Sequence, residues 1–284
     1  MERKDYRLSG EDIARYAVCL RERERADHTV EKYVRSLRAL GRWLDGRDLT
    51  KAALVEWKGA LTETYAPASV NSMLASVNSF LAFMGWRELT VRPLKLQRAI
   101  FRDEERELTR SEYARLVAAA QREGCERLSL VMQTICATGI RVSELRFITV
   151  QAVRSGRAEV SCKGKRRVVF LPEKLRRALR KYLEKQKRTA GAVFVTRTGT
   201  PLDRSNIWRE MKRLCQRAGV EPGKVFPHNL RHLFARTYYT REKDLSRLAD
   251  LLGHASVSTT RIYTAESGEV HARQLERLGL VLTT

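Results

Sequence analysis

No stretch of this 284-residue sequence strings together the roughly 18 apolar residues that a membrane-spanning helix needs, and no signal-peptide pattern opens it. The expectation is a soluble, cytoplasmic protein with no membrane partner. Cysteine is thin: Cys19, Cys125, Cys136, Cys162 and Cys215 are scattered, without a Cys-x-x-Cys pair, and read as reduced, mostly buried thiols. There is no Walker A loop, no Gly-x-Ser-x-Gly elbow, no internal repeat and no low-complexity tract. Carboxylates are well outnumbered, 33 Asp and Glu against 55 Lys and Arg. They form no acidic cluster around the candidate sites, which disfavours a two-metal nuclease.

The surplus of positive charge is +22 and points to a polyanionic partner, nucleic acid before an anionic membrane surface. It is unevenly spread. Residues 1–91 hold 15 basic and 13 acidic residues, whereas residues 108–284 hold 35 and 16. The run 163–188 has twelve Lys and Arg opposed only by Glu173 and Glu184, and predicts salt-sensitive affinity, although its later half also reads as a solvated helix face. A 43% hydrophobic content supports true cores. Apolar residues at 30, 33, 34, 37, 40 and 44, and again at 70, 73, 74, 77, 81 and 84, have helical period. Weaker helices are expected near 9–22 and 50–61. These predict a helical domain over 1–88, and the charged, aperiodic stretch 89–107 reads as a linker. In 108–284, Thr109 and Glu112 form a capping box, and a further helix should span 126–137 and stop near Gly139. Residues 158–162 and 168–171 flank a Lys-Gly-Lys turn as a hairpin. Helices are predicted near 173–187, 204–218, 228–240 and 244–252, the second and fourth ending at Gly219 and Gly253, and a tail helix at 266–278. The fold class is therefore mainly α with a small β-sheet (α+β).

Five features bear on chemistry. Arg141 follows a Thr-Gly turn with Glu144 three residues on, which alone is a capped helix start with a surface ion pair. Lys163 sits at the hairpin tip, either as ordinary turn chemistry or as an ammonium delivered to a phosphate. Pro227 suits a first helical position and puts His228 and Arg231 on one face near an N-terminus that favours anions. His228 and His232 are spaced as metal ligands could be, but Asn229 stands where a metalloprotease needs its glutamate, and no acidic third ligand is close. His254 follows Gly253, and Tyr263 comes nine residues later in a polar context. Singly each is weak; the ordered set in one basic domain is not.

With these residues in view, the chain resembles the tyrosine recombinases (phage integrases and Xer-type recombinases) over most of its length. "ATGIRVSEL" is similar to the family's first-arginine box, Lys163 to its hairpin lysine, "HNLRH" to its His-x-x-Arg box and "LLGHASVSTTRIYT" to its terminal box. The resemblance implies a core-DNA-binding (SAM-like) domain followed by a catalytic domain, closing as a C-shaped clamp on DNA, without the extra arm-binding domain of lambda-type integrases. It implies Tyr263 as nucleophile, Arg141 and Arg231 on the non-bridging phosphate oxygens, Lys163 as general acid, His228 as acceptor of the tyrosine proton and His254 as a phosphate hydrogen-bonder. It further implies that Glu144 orients Arg141 or the neighbouring backbone, and that Lys165, Arg166, Arg167 and Arg261 contact DNA. A 3′-phosphotyrosyl intermediate then carries strand exchange through a Holliday junction without metal, ATP or other cofactor. The implied partners are double-stranded DNA with inverted-repeat core sites, three further copies docked through the tail as a homotetramer, and an accessory protein, on a prokaryotic nucleoid. The work would be integration or excision of a mobile element or chromosome-dimer resolution. A type IB-like topoisomerase and a non-catalytic DNA-binding regulator are the alternatives.

Overall fold

A computed structural model describes residues 6–96, 104–162, 165–254, 256–263 and 276–278, without the side chains of Glu104, Cys162 and Lys165. It divides into two compact units, Met1–Arg98 and Ala99–Thr284. The described residues are mainly helical with one two-stranded sheet, and none of their helices is long and apolar enough to cross a membrane.

The first unit consists of α1 (Gly10–Glu22), α2 (Asp27–Leu44), α3 (Lys51–Thr64) and α4 (Pro67–Phe83). Hydroxyl caps start α1 and α3: Ser9 Oγ accepts from the Asp12 N–H and Thr50 Oγ1 from the Ala53 N–H, satisfying donors a helix start leaves open. The periodic stripes of α2 and α4 meet in one core, in which fully buried Tyr16 packs edge-on to Phe80 and donates its hydroxyl hydrogen to Ser79 at 2.7 Å. Residues 89–94, part of the stretch read from sequence as linker, pack on this unit instead. Leu89 and Val91 are buried in its core, and the Asn78 and Asn71 side chains each pair with both backbone groups of Val91 and Leu94. Two asparagines reaching from α4 fix residues 91–94, which have no regular secondary structure and no periodicity of their own.

The second unit contains α5 (Arg110–Arg122), begun by the Thr109–Glu112 capping box, and α6 (Glu126–Thr138). A 3-10 segment (Val142–Phe147) leads to the short α7 (Val150–Ser155), then β1 (Arg157–Cys162) and β2 (Lys165–Phe170). The strands pair antiparallel, with Val160 opposite Arg167 and Ala158 opposite Val169. After them come α8 (Glu173–Lys185), α9 (Arg204–Ala218), α10 (Pro227–Glu242), α11 (Leu245–Leu252) and α12 (Val257–Thr260), and a final 3-10 turn holds Arg261–Tyr263. Buried or half-buried along its whole length, α6 runs through the core against α5, α8 and α10. Its C-terminus and that of α11 both end in left-handed glycines, Gly139 (φ +64°) and Gly253 (φ +63°). Of the tail helix expected at 266–278, only 276–278 fall among the described residues. The cysteines are less buried than expected: Cys215 is buried, Cys19 and Cys136 are half-buried, and Cys125 is exposed.

Candidate active site

The end of α11 is where the separated motifs meet. A helix C-terminus leaves carbonyls without helical partners and carries the negative end of the dipole. Here three consecutive carbonyls each accept from a different arginine: Leu251 from Arg167 Nη1 (2.7 Å), Leu252 from Arg231 Nη2 (2.8 Å) and Gly253 from Arg141 Nη2 (3.2 Å). Arg231, on α10, is 2% exposed and also donates to the Gly139 carbonyl at 2.6 Å, so it ties the C-termini of α6 and α11 together. Arg141 stands at the start of the 3-10 segment. Its backbone N–H and Nη1 both reach the Glu144 carboxylate at 2.9 Å, which is the reciprocal pairing that spacing of three predicts.

His254 leaves α11 directly into this cluster. Its Nε2 lies 3.0 Å from Arg231 Nη2 and its Nδ1 lies 2.8 Å from Thr260 Oγ1. A guanidinium only donates, so Nε2 is the acceptor and the ring hydrogen sits on Nδ1, directed at buried Thr260. Tyr263 is 5% exposed, held in a small apolar cluster with Leu248 and Leu252. Its ring stacks at 14° to His254 (centroids 6.1 Å apart) and takes His232 edge-on at 4.9 Å. His228 opens α10 behind Pro227 and lies 4.5 Å from His232. Thus Arg141, Glu144, Arg231, His254 and Tyr263 form one site with His228 at its rim. Lys163 lies outside the described residues, as does the Lys165 side chain. Arg166 and Arg261 are exposed. Arg167, grouped from sequence with the DNA-contacting residues, has a side chain only 13% exposed and turned onto Glu144 at 2.6 Å. Alternation along β2 is the reason, since residues 166, 168 and 170 face out and 167 and 169 face in.

Comparison with known proteins identifies the family. The model of the phage integrase family matches residues 106–269, and that of the phage integrase N-terminal SAM-like domain matches residues 13–88. The chain belongs to the phage integrase family. Tyrosine recombinase XerD of Xanthomonas campestris pv. campestris is 32% identical, over 89% of this chain and 87% of the relative. Tyrosine recombinase XerA of Thermococcus kodakarensis is 30% identical, over 90% and 91%. The fold is shared with XerH site-specific recombinase bound to difH substrate (TM-score 0.70, 19% identity, 93% of this chain and 84% of that one). It is also shared with a lambda integrase tetramer bound to a Holliday junction (TM-score 0.73, 20% identity, 89% and 76%). This phage integrase is a tyrosine recombinase, and site-specific recombination is its function; neither a topoisomerase nor a non-catalytic regulator is favoured by these relatives.

Electrostatically the integrase site is cationic, with Arg231 and Tyr263 buried and the Arg141 side chain 35% exposed. Burial, then the charge of Arg141, lowers the Arg231 pKa to about 10, with Tyr263 opposing the shift. Burial also brings His232 and His254 to about 4, helped by His228 and Arg231 respectively. Protein packed against one side of the His228 ring lowers its pKa too, with Arg231, Arg204 and Arg141 adding to the shift. All three histidines are therefore neutral at pH 7. Sequence reasoning missed three contributors. His232 was weighed only as a metal ligand, yet it touches Tyr263 and leaves its buried Nε2 without a hydrogen bond. Thr260, fully buried, fixes the His254 ring; its one available signal was a hydroxyl inside an otherwise exposed Ser-Thr-Thr run. The inward turn of Arg167 was readable from β alternation in the hairpin.

Proposed function

We propose that this recombinase breaks and rejoins DNA by attack of Tyr263 Oη on a phosphodiester, leaving a 3′-phosphotyrosyl bond and a free 5′-hydroxyl. The observation that carries the reading is the convergence of Arg141 and Arg231 on adjacent carbonyls at the end of α11, with His254 against Arg231 and its ring stacked on Tyr263. Guanidinium forks match the two non-bridging oxygens of a phosphate, and preorganised donors stabilise the charge of the pentacoordinate transition state by about 3–4 kcal/mol each. A phenol with an unperturbed pKa of about 10 is a poor nucleophile at neutral pH. The neighbouring guanidiniums favour its developing negative charge. His228, neutral and at the rim, accepts the phenol proton. His254 meets the phosphate as its other tautomer: once the anion takes over the arginine's donors, the ring hydrogen stands on Nε2 and is donated to a phosphate oxygen, while Nδ1 accepts from the Thr260 hydroxyl. Lys163 protonates the departing 5′ oxygen as general acid. Reversal by a 5′-hydroxyl from another strand reforms the phosphodiester and regenerates the tyrosine, so energy is conserved without ATP.

Arg166, Arg261 and Lys165 are assigned to DNA contacts. The substrate is duplex DNA with inverted-repeat core sites, bound by four copies through their terminal segments and passing through a Holliday junction, with an accessory protein on the nucleoid of the host. Integration or excision of a mobile element, or chromosome-dimer resolution, is the biological task. The domains are 1–88 for core-DNA binding and 108–284 for catalysis. The test is covalent trapping on fragmented host DNA in EDTA, followed by denaturation and sequencing of protein-linked ends, with Tyr263→Phe in parallel. The expected result is one enriched inverted-repeat sequence, absent with Tyr263→Phe. Diffuse adducts without a shared sequence would instead indicate a topoisomerase, and no metal-independent adduct would defeat the mechanism.

A further inference from the structure

We propose that Arg167 is a positioning residue of the active site, holding Glu144 in charge balance so that Arg141 keeps its positive charge for the phosphate. The inference rests on the reading of Arg141 as a phosphate ligand. Arg167 occupies an inward-facing strand position opposite buried Val160 and two residues from buried Val169. An apolar residue suits such a site, and an arginine there is costly unless its charge and donors are fully engaged. They are engaged on both arms: Nη1 on the Leu251 carbonyl at 2.7 Å and Nη2 on Glu144 Oε2 at 2.6 Å.

The path of the side chain is an independent mark of a fitted role. A Cβ on Gly253 would lie 2.5 Å from Arg167 Cδ and 2.7 Å from Nε. The bare glycine thus both ends α11 and lets the Arg167 stem cross the backbone just before His254. The hairpin, the Glu144 carboxylate and the helix end that presents His254 are pinned by one guanidinium.

Glu144 is 2% exposed, and its two oxygens are shared between two arginines. Oε1 accepts from Arg141 Nη1 at 2.9 Å, while Oε2 accepts from the Arg141 backbone N–H at 2.9 Å and from Arg167. With Arg167 present, one buried positive charge offsets the carboxylate and Arg141 is oriented without being neutralised. Without it, the carboxylate charge falls on Arg141 alone, and the attraction left for a phosphate oxygen is weaker. Lysine cannot substitute, because one ammonium does not span the carbonyl and the carboxylate in this fork.

The test compares full-length wild type, Arg167→Lys, Arg167→Gln and the double variant Glu144→Gln/Arg167→Gln. Inorganic orthovanadate binding, followed by 51V NMR line broadening, reads the oxyanion site without DNA. Single-turnover formation of the tyrosyl adduct on the duplex recovered by trapping separates DNA affinity from the rate at saturation. Both single variants are expected to bind vanadate ~10-fold more weakly. They should form adduct ~100-fold or more slowly at saturation, with DNA affinity changed less than about threefold because the groove contacts lie elsewhere. The double variant should regain most of the lost vanadate affinity, because a neutral amide in place of the Glu144 carboxylate no longer draws on the charge of Arg141. A residue that merely supported the fold would not produce that recovery.

Wild-type vanadate affinity in both single variants would overturn the proposal, whatever their thermal stability. A loss confined to DNA affinity would return Arg167 to the groove and overturn it equally. Absence of saturable vanadate binding by the wild type would remove the oxyanion site it depends on. If vanadate binding depends on Arg167 but no adduct forms with DNA, the nucleophile assignment fails and the role of Arg167 stands. Should either single variant fail to fold, the charge-compensated double variant still reports: failure to fold there as well would mark Arg167 as a structural residue and refute the proposal.

Discussion

Arg231 has lost nearly all contact with solvent, yet its donors are spent on two helix-end carbonyls and on a neutral histidine, with no carboxylate among those partners. A buried guanidinium held only by neutral acceptors is a strong attractor for an anion. Arg231→Lys keeps the charge but cannot bridge Gly139 and Leu252 while addressing a phosphate. Adduct formation should fall by ~100-fold or more with that substitution, and a rate within a few-fold of wild type would argue against the clamp. The histidines make a second prediction. His232 and His254 titrate near 4 in the folded chain against an ordinary 6.5. Between those values the unfolded chain binds more protons, so their contribution to stability is complete above about 6.5 and is lost as pH falls towards about 4. The thermal midpoint should drop between pH 7.5 and 5, and His232→Asn should flatten the drop. An unchanged pH slope in that variant would show that His232 is not held neutral.

At the scale of elements, the ends of α6 and α11 do more than their lengths suggest. Gly139 and Gly253 adopt positive φ, and both stand where another side chain crosses: a Cβ at Gly139 would sit 2.4 Å from the Phe234 ring. Backbone strain at positive φ adds to overpacking, so Gly139→Ala should cost about 2–4 kcal/mol, seen as a melting point lower by roughly 5–10 °C. A wild-type melting point would mean that Phe234 moves aside freely. Long elements were legible in the sequence because their signals are local: the Thr109 box, the α2 and α4 stripes, Pro227 as first turn, and Gly219 and Gly253 as stops all reappear in place. The six-residue α7 and the four-residue α12 are too short to show a period. The docking of residues 89–94 depends on Asn71 and Asn78, whose side-chain reach across α4 no pattern within 89–94 records. The site was legible as residues in order but not as geometry. Nothing in the spacing of Arg141, Arg167 and Arg231 says that all three end on consecutive carbonyls of α11, because that meeting point is a product of packing.

Over the whole molecule, the two units divide charge as they divide cores. The first 91 residues are nearly balanced, and the excess lies in the unit that holds the arginine cluster. Affinity for duplex DNA should therefore be strongly salt-dependent through that unit. Arg166→Ala, which removes an exposed strand cation, should reduce the slope of log K against log salt by about one, measured by fluorescence anisotropy across a salt series; an unchanged slope would take Arg166 out of the interface.

The central claim is that Tyr263, stowed beside Arg231 and two histidines, is the atom source of the DNA–protein bond. The most direct measurement is mass spectrometry of the nucleotide-linked peptide after trapping, nuclease digestion and proteolysis of the wild-type chain. The account predicts a single modified peptide with the phosphonucleotide on Tyr263 Oη. A nucleotide on Tyr238, Tyr239 or any serine would contradict it.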